Sequence, residues 1–256
     1  MGMRVILAGG FGGLILLLSS TYAASAGPRN QSGILIGGFA FGIIAAGVIW
    51  YITRFDRFCN YVGENGVARY RLSGNTPNPA GATVFPFPSA SELRSRQTRN
   101  FINGIYSQTT YAFAWSDPQG KIVFKISGDY RDKEGRPKPR DGFWFARAAE
   151  ASWNNYQLGW VAEQVKTMGF AQFNLTGGNF VRVGPGFFEF GMKGEVARIG
   201  VDEIKSLNLS EGQFHITHKD ARWFSRKGKF NFSYASMANA QLFLLAMEKL
   251  TGYQFE

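Results

Sequence analysis

The chain has 256 residues and a net charge of +10, with charged residues at only 18% and with 32 Gly and 24 Phe. Its single Cys59 excludes an internal disulfide and a cysteine metal cluster. Two histidines leave little material for a nucleophile–base pair, and no Walker loop, GxGxxG, nucleophile elbow or HExxH occurs.

At the N-terminus, Val5 to Ala24 and Gly33 to Ile52 are both free of charge, and each is 20 residues long. As helices each would rise roughly 30 Å, the thickness of a hydrocarbon core. Residues 1–57 therefore read as a transmembrane hairpin, spans 5–24 and 33–52, with Trp50 and Tyr51 at an interface. Arg4, Arg54 and Arg57 flank the spans on one side and Arg29 stands in the loop, which predicts cytoplasmic termini and an inner-membrane, multi-pass protein. A competing reading takes residues 1–26 as a cleaved signal peptide with "ASA" before Gly27. Gly9 with Gly13, and Gly38 with Gly42, are small-xxx-small pairs suited to helix packing.

Residues 58–170 open on "YVGENGVARYRL", two short strands about a Gly63–Gly66 turn. Ser73 to Ser91, rich in Pro, Gly and Ser, reads as a long loop or strap. "SDPQG" at Ser116 to Gly120 is a β-turn signal, and "FWFARAAEASWNNYQLGWVAEQVKTMGF" reads as a helix stopped by Gly169.

Residues 171–256 alternate with period two. Phe214 and Ile216 share one strand face, and so do Phe230, Phe232 and Tyr234. "NAQLFLLAMEKLTGY" then has helical spacing, with Asn239 as N-cap and Gly252 as stop. The order of strands then helix occurs twice. "VRVGPGFFEF" echoes the opening hairpin with Val67, Ala68, Arg69 and Tyr70 aligned to Phe187, Phe188, Glu189 and Phe190 in the same phase. The helix ends "EQVKTMGF" and "MEKLTGYQF" also match. One β module written twice is the reading.

The stretch "FVRVGPGFFEFG…EVARIGVDEIKSLNL…FSRKGKFNFSY…NAQLFLLAMEKL" resembles bacterial pleckstrin-homology-like (PH-like) domains that stand beside membrane helices, most closely where "IGVDEIKSL" supplies a strand before a turn. The resemblance covers 171–256 well and 58–170 weakly. It implies an α+β class: two transmembrane helices, then tandem PH-like units, each a bent antiparallel sheet or open barrel capped by a helix. It also implies a binding platform rather than catalysis, with no cofactor. Phosphoinositide binders of the family carry a basic pattern of which Arg69 and Arg71 match only half.

His215 and His218 are three apart on a strand and so point to opposite faces, which does not suit metal binding. Two basic segments are candidates for contact with lipid or partner: Arg131, Arg136, Lys138 and Arg140 in the first, and Arg226, Lys227 and Lys229 in the second. Trp144, Trp153 and Trp160 are candidate partner aromatics. No stacking motif for nucleic acid occurs. The expected function is a non-enzymatic, membrane-anchored adaptor or accessory subunit bracing integral membrane proteins of a larger complex, whether respiratory, photosynthetic, transport or secretion. The alternative is a stand-alone sensor of anionic lipid headgroups.

Overall fold

The computed structural model describes residues 10, 13–15, 17–23, 31–52, 58–73, 76–131, 136–221 and 228–253. Contacts divide the chain into two compact units, Met1–Phe58 and Cys59–Glu256.

In the N-terminal unit, helical residues 17–23 lie against helix α1 (Gln31–Ile52). The approach is closest at Gly38, where an added Cβ would stand 2.3 Å from Ser19 Oγ, so only glycine fits. Gly42 is buried, a Cβ added at Gly13 would meet nothing within 4 Å among the described residues, and Gly9 lies outside them. No helix among the described residues is long and apolar enough to cross a membrane. This overturns the two expected transmembrane spans and the fold class built on them. Helix α1 has 22 residues and opens on the polar Gln31 and Ser32. Of the first expected span, only residues 10, 13–15 and 17–23 are described. Mostly strand, the described residues form four small antiparallel sheets.

The C-terminal unit runs in chain order through these sheets. The first is β1 (Phe58–Gly63), β2 (Gly66–Ser73) and β3 (Thr76–Pro86); the second is β4 (Glu92–Ile102), β5 (Ile105–Ser116) and β6 (Ile122–Tyr130). Helix α2 (Gly142–Met168) follows. The third sheet is β7 (Ala171–Asn174), β8 (Phe180–Gly184), β9 (Phe187–Met192) and β10 (Glu195–Gly200). The last is β11 (Ile204–Ser210), β12 (Gln213–His218) and β13 (Lys229–Ser233), closed by helix α3 (Ala240–Thr251). Two sheets then a helix therefore occur twice, with three plus three strands first and four plus three second.

Alternation sets the inward faces. Phe214 and Ile216 of β12 are buried, as are Phe188 and Phe190 of β9. Both long helices end as the sequence predicts: Gly169 and Gly252 take φ of 80° and 71°, and donate their N–H groups to the carbonyls of Val165 and Glu248. The β5–β6 turn is also where "SDPQG" places it, with Asp117 Oδ1 accepting from the N–H groups of Gln119 and Lys121.

Two details differ from expectation. The Pro-rich stretch read as a loop is largely strand β3, followed by a single 3-10 turn at Phe87–Ser89. Proline is tolerated there because β3 is an edge strand, and Phe85 and Phe87 at its end are core residues. The hairpin echo is also one residue out of phase. Val67 is buried but Phe187 is not, and the buried residue of the echo is Phe188. That slip turns Arg69 towards α2, where its guanidinium lies 5.6 Å from the Phe145 ring centre.

The unit has two hydrophobic cores. One gathers Phe85, Phe87, Phe113, Trp115, Phe143 and Trp153; the other gathers Phe173, Phe188, Phe190, Phe214, Phe232 and Phe243. Helix α2 serves both, through Phe143 to Trp153 on the first and Val161 and Val165 on the second. Asn239, 5% exposed, joins them. Its Oδ1 accepts from the Leu93 N–H and from Trp153 Nε1, both at 2.9 Å, while its own N–H donates to the Leu93 carbonyl at 2.7 Å. Its Nδ2 donates to the Ser91 carbonyl at 3.3 Å. The side chain does not cap α3 as the sequence suggests; it is spent on the other half of the unit.

Asn239 has φ of 56°, a left-handed value that Asn tolerates better than Ala. Asn239→Ala strands two buried donors and adds backbone strain, so it should cost about 4 kcal/mol in urea unfolding. Asn239→Gly should recover about 1 kcal/mol of this by relieving the strain alone. Losses of a few tenths in both variants would show that the bonds are replaced by water.

Candidate docking cleft

A cleft of about 970 Å³ opens between strand β4 and the turn joining β11 to β12. One wall is Ser95 to Arg99, with Arg147 of α2 beside it; the other is Glu211 to Gln213 with Ser233 to Ala235. Glu211 and Gly212 both take left-handed φ, 50° and 72°, which makes the tight hairpin turn. The Gly212 carbonyl accepts from the Tyr234 N–H at 2.8 Å, and this bond holds that wall together.

The β4 wall is an open sheet edge. In the order β4-β5-β6 it has a strand on one side only. Leu93 points both its backbone groups outward, to Asn239. By strand alternation the backbone groups of Ser95, Gln97 and Arg99 point the same way, along the cleft. Among the described residues, no backbone partner meets those of Gln97 and Arg99 on that side.

Glu150, 2% exposed, lies beneath this edge. Its Oε1 accepts from Ser95 Oγ at 2.9 Å, and its Oε2 pairs with Arg147 Nη1. Burial pushes its carboxyl above the ordinary glutamate value, against the opposing pull of the Arg147 charge and the two hydrogen bonds. Tyr234 is pushed up to about 12, first by burial and then by the Glu150 carboxylate. Among the described residues of the cleft, none is arranged as a nucleophile with a base.

Most residues singled out from the sequence lie elsewhere. Arg69 Nε donates to Asn60 Oδ1 at 3.0 Å, and Arg71 stands exposed further along β2. Arg131 donates to Gln108 Oε1 at 3.4 Å, and Arg136, Lys138 and Arg140 are exposed on the segment before α2. Lys229 opens β13 opposite Thr217, while Arg226 and Lys227 fall outside the described residues. None of the described ones lines the cleft. Trp144 and Trp160 are exposed on α2, but Trp153 is wholly buried and belongs to the core. His215 Nδ1 lies 3.0 Å from Asn231 Oδ1, and His218 Nδ1 accepts from the Asp220 N–H.

The cleft residues Arg96, Gln97, Arg147 and Tyr234, and Glu150 buried behind them, were not singled out as a site from the sequence. The spacing of "ELRSRQTRNFI" marks a strand with alternating arginines. Nothing local shows that its edge is open, or that Glu150 is buried behind it.

A carboxyl with a raised folded pKa binds its proton more readily folded than unfolded. Its contribution to stability is full below the unfolded value and is lost as pH rises through the folded one. Unfolding free energies measured over a pH series should therefore fall between the ordinary 4.5 and the raised value of Glu150. Glu150→Gln should lack that fall, and an unchanged slope in the variant would assign it to another group. No family model and no curated protein matches the chain, so the geometry alone carries the functional reading.

Proposed function

We propose that the C-terminal unit is a non-enzymatic docking module, an adaptor or accessory subunit of a larger assembly, built from two PH-like units. Support for the PH-like reading comes from the second half, whose four-stranded and three-stranded antiparallel sheets are followed by one closing helix. The first half repeats that order with three strands in each sheet.

The observation that carries the docking reading is the open edge of β4 inside the cleft. Exposed edges invite another strand, and proteins usually cover or blunt them. Here Asn239 takes the rung at Leu93 as a pairing strand would, and the cleft continues the row past Gln97 and Arg99. An extended segment of a partner protein fits this site by strand addition, with main-chain bonds for affinity and side chains for choice. Arg96 and Arg99 are exposed along it, and among the described residues neither has a carboxylate partner. Acidic segments are favoured accordingly.

The test is selection of displayed random peptides on the full chain. Binders should be rich in Asp and Glu, and their binding should slow amide exchange at Gln97 and Arg99. Gln97→Pro removes one outward donor from an edge strand, and should weaken binding by about tenfold while the melting temperature holds. Peptides that bind without slowing those two amides, or a failure to select any, would overturn the reading.

A further inference from the structure

The two strands that border the cleft end in a feature that the docking reading does not use. β4 and β5 run on together past the end of β6, which stops at Tyr130 opposite Thr109. Residues from Asn100 to Gln108 thus form a two-stranded ribbon with no third strand beside it among the described residues. Asn103 and Gly104 close it with φ of 51° and 78°, the tight turn that matches strand twist.

Apolar side chains crowd this tip. Phe101 is 59% exposed, Ile102 65% and Ile105 74%. The Tyr106 ring meets Phe101 edge-on at 6.0 Å. Asn103 and Gly104 suffice to reverse the chain, so the exposed apolar residues that flank them are not needed for the turn. The strands that form the tip carry charge of one sign, and Asp129 of β6, opposite Thr110, is the acid nearest their base among the strands paired with them. Between Leu93 and Ser116 the chain holds Arg94, Arg96 and Arg99 and no Asp or Glu. Arg99 stands opposite Thr109 at the base of the ribbon, and Arg131 reaches that base by its bond to Gln108.

We infer that this hairpin is a wedge for an anionic lipid surface. Phe101, Ile102 and Ile105 enter the boundary between headgroups and acyl chains, and Arg99 and Arg131 meet the phosphates. The argument turns on the combination. Apolar insertion contributes in proportion to the area buried, and basic residues at the same depth add attraction to anionic headgroups. A pocket on a protein would receive the tip equally well, but it would not call for arginines and no acid from Leu93 to Ser116. Glu211, across the cleft from Phe101, lies on another element; the ribbon itself is uncharged, with Arg99 at its base. The wedge adjoins the strand-addition site and shares Arg99 and Phe101 with its cleft, but Ile102 and Ile105 do not line that cleft and belong to the wedge alone.

The experiment is sedimentation of the full chain with phosphatidylcholine vesicles, with and without phosphatidylserine, at low and high salt. Two variants are compared with the parent: Ile102→Ser with Ile105→Ser, and Arg99→Gln with Arg131→Gln. Binding by any other part of the chain is common to parent and variants. All four positions are exposed, and unchanged melting curves would establish that each variant is folded. Both variants should lose roughly tenfold or more in affinity for the phosphatidylserine vesicles, and salt should weaken the parent. Peptide selection on the cleft should be unaffected by Ile102→Ser with Ile105→Ser, which separates the two sites. Parent-like binding by either variant, equal binding to neutral vesicles, or no binding to vesicles at all would overturn the inference; the last would leave a protein pocket as the tip's receptor.

Discussion

The C-terminal unit depends on Asn239. One amide oxygen accepts from a strand edge in the first half and from the indole of the helix that closes that half. The same residue begins the last helix of the second half. All of this is buried, so each donor left without it would cost about 1–3 kcal/mol. The neighbouring contacts run parallel to it. The Ala238 N–H donates to the Asn174 carbonyl, and Asn174 Nδ2 donates to Glu92 Oε1 at 2.8 Å. The seam between the halves is therefore polar and directional, where each core is apolar and tolerant. Direction is what a cleft needs: hydrophobic contact alone would allow the two sheets to slide.

Helix α2 explains why a repeated module does not behave as two beads. It has 27 residues against 12 in α3, though both close their own sheets in the same way. At 1.5 Å per residue it spans roughly 40 Å, enough to reach across two small cores. Its first turns bury Phe143, Ala146, Ala149 and Trp153 in one core. The last turns present Val161 and Val165 to the other, and Gln164 Oε1 accepts from the Gln172 N–H where the next strand starts. The added turns of the first helix thus replace a linker with a shared wall. Two halves joined by a flexible linker would have no fixed cleft between β4 and the β11–β12 turn.

Local patterns made much of this fold legible. Period two marked β12 and β13, and glycine at helix ends marked both stops, because each depends on residues within a few positions. Features that depend on distant partners did not show. Leu93 and Asn239 are 146 residues apart, and Asn239 looks like an ordinary cap until its partner is known. Proline hid β3, since its exclusion from strands holds for central strands and not for edges. The hairpin echo misled by one position because Gly66 opens β2 whereas Gly186 lies in the turn before β9, and a one-residue slip reverses every side chain. Apolar runs suggested membrane spans by their lack of charge, but no helix among the described residues is long and apolar enough to be one.

Glu150 shows how the two levels meet. A carboxylate beneath a sheet edge is unfavourable by desolvation, and a hydrophobic residue of similar size would pack there with less penalty. What a hydrophobic residue would not do is hold Arg147. The arginine is 45% exposed at the cleft wall while its partner is 2% exposed, so one end of the pair is fixed in the protein and the other faces the groove. Ser95 completes the anchor from β4 itself, so the open edge and the arginine are tied to one acid. A free arginine would sample many rotamers and lose that freedom on binding, at roughly 0.5–1.5 kcal/mol for such a side chain. Anchored arginine has already lost it. The buried acid therefore trades a little stability for a preorganised charge beside the edge.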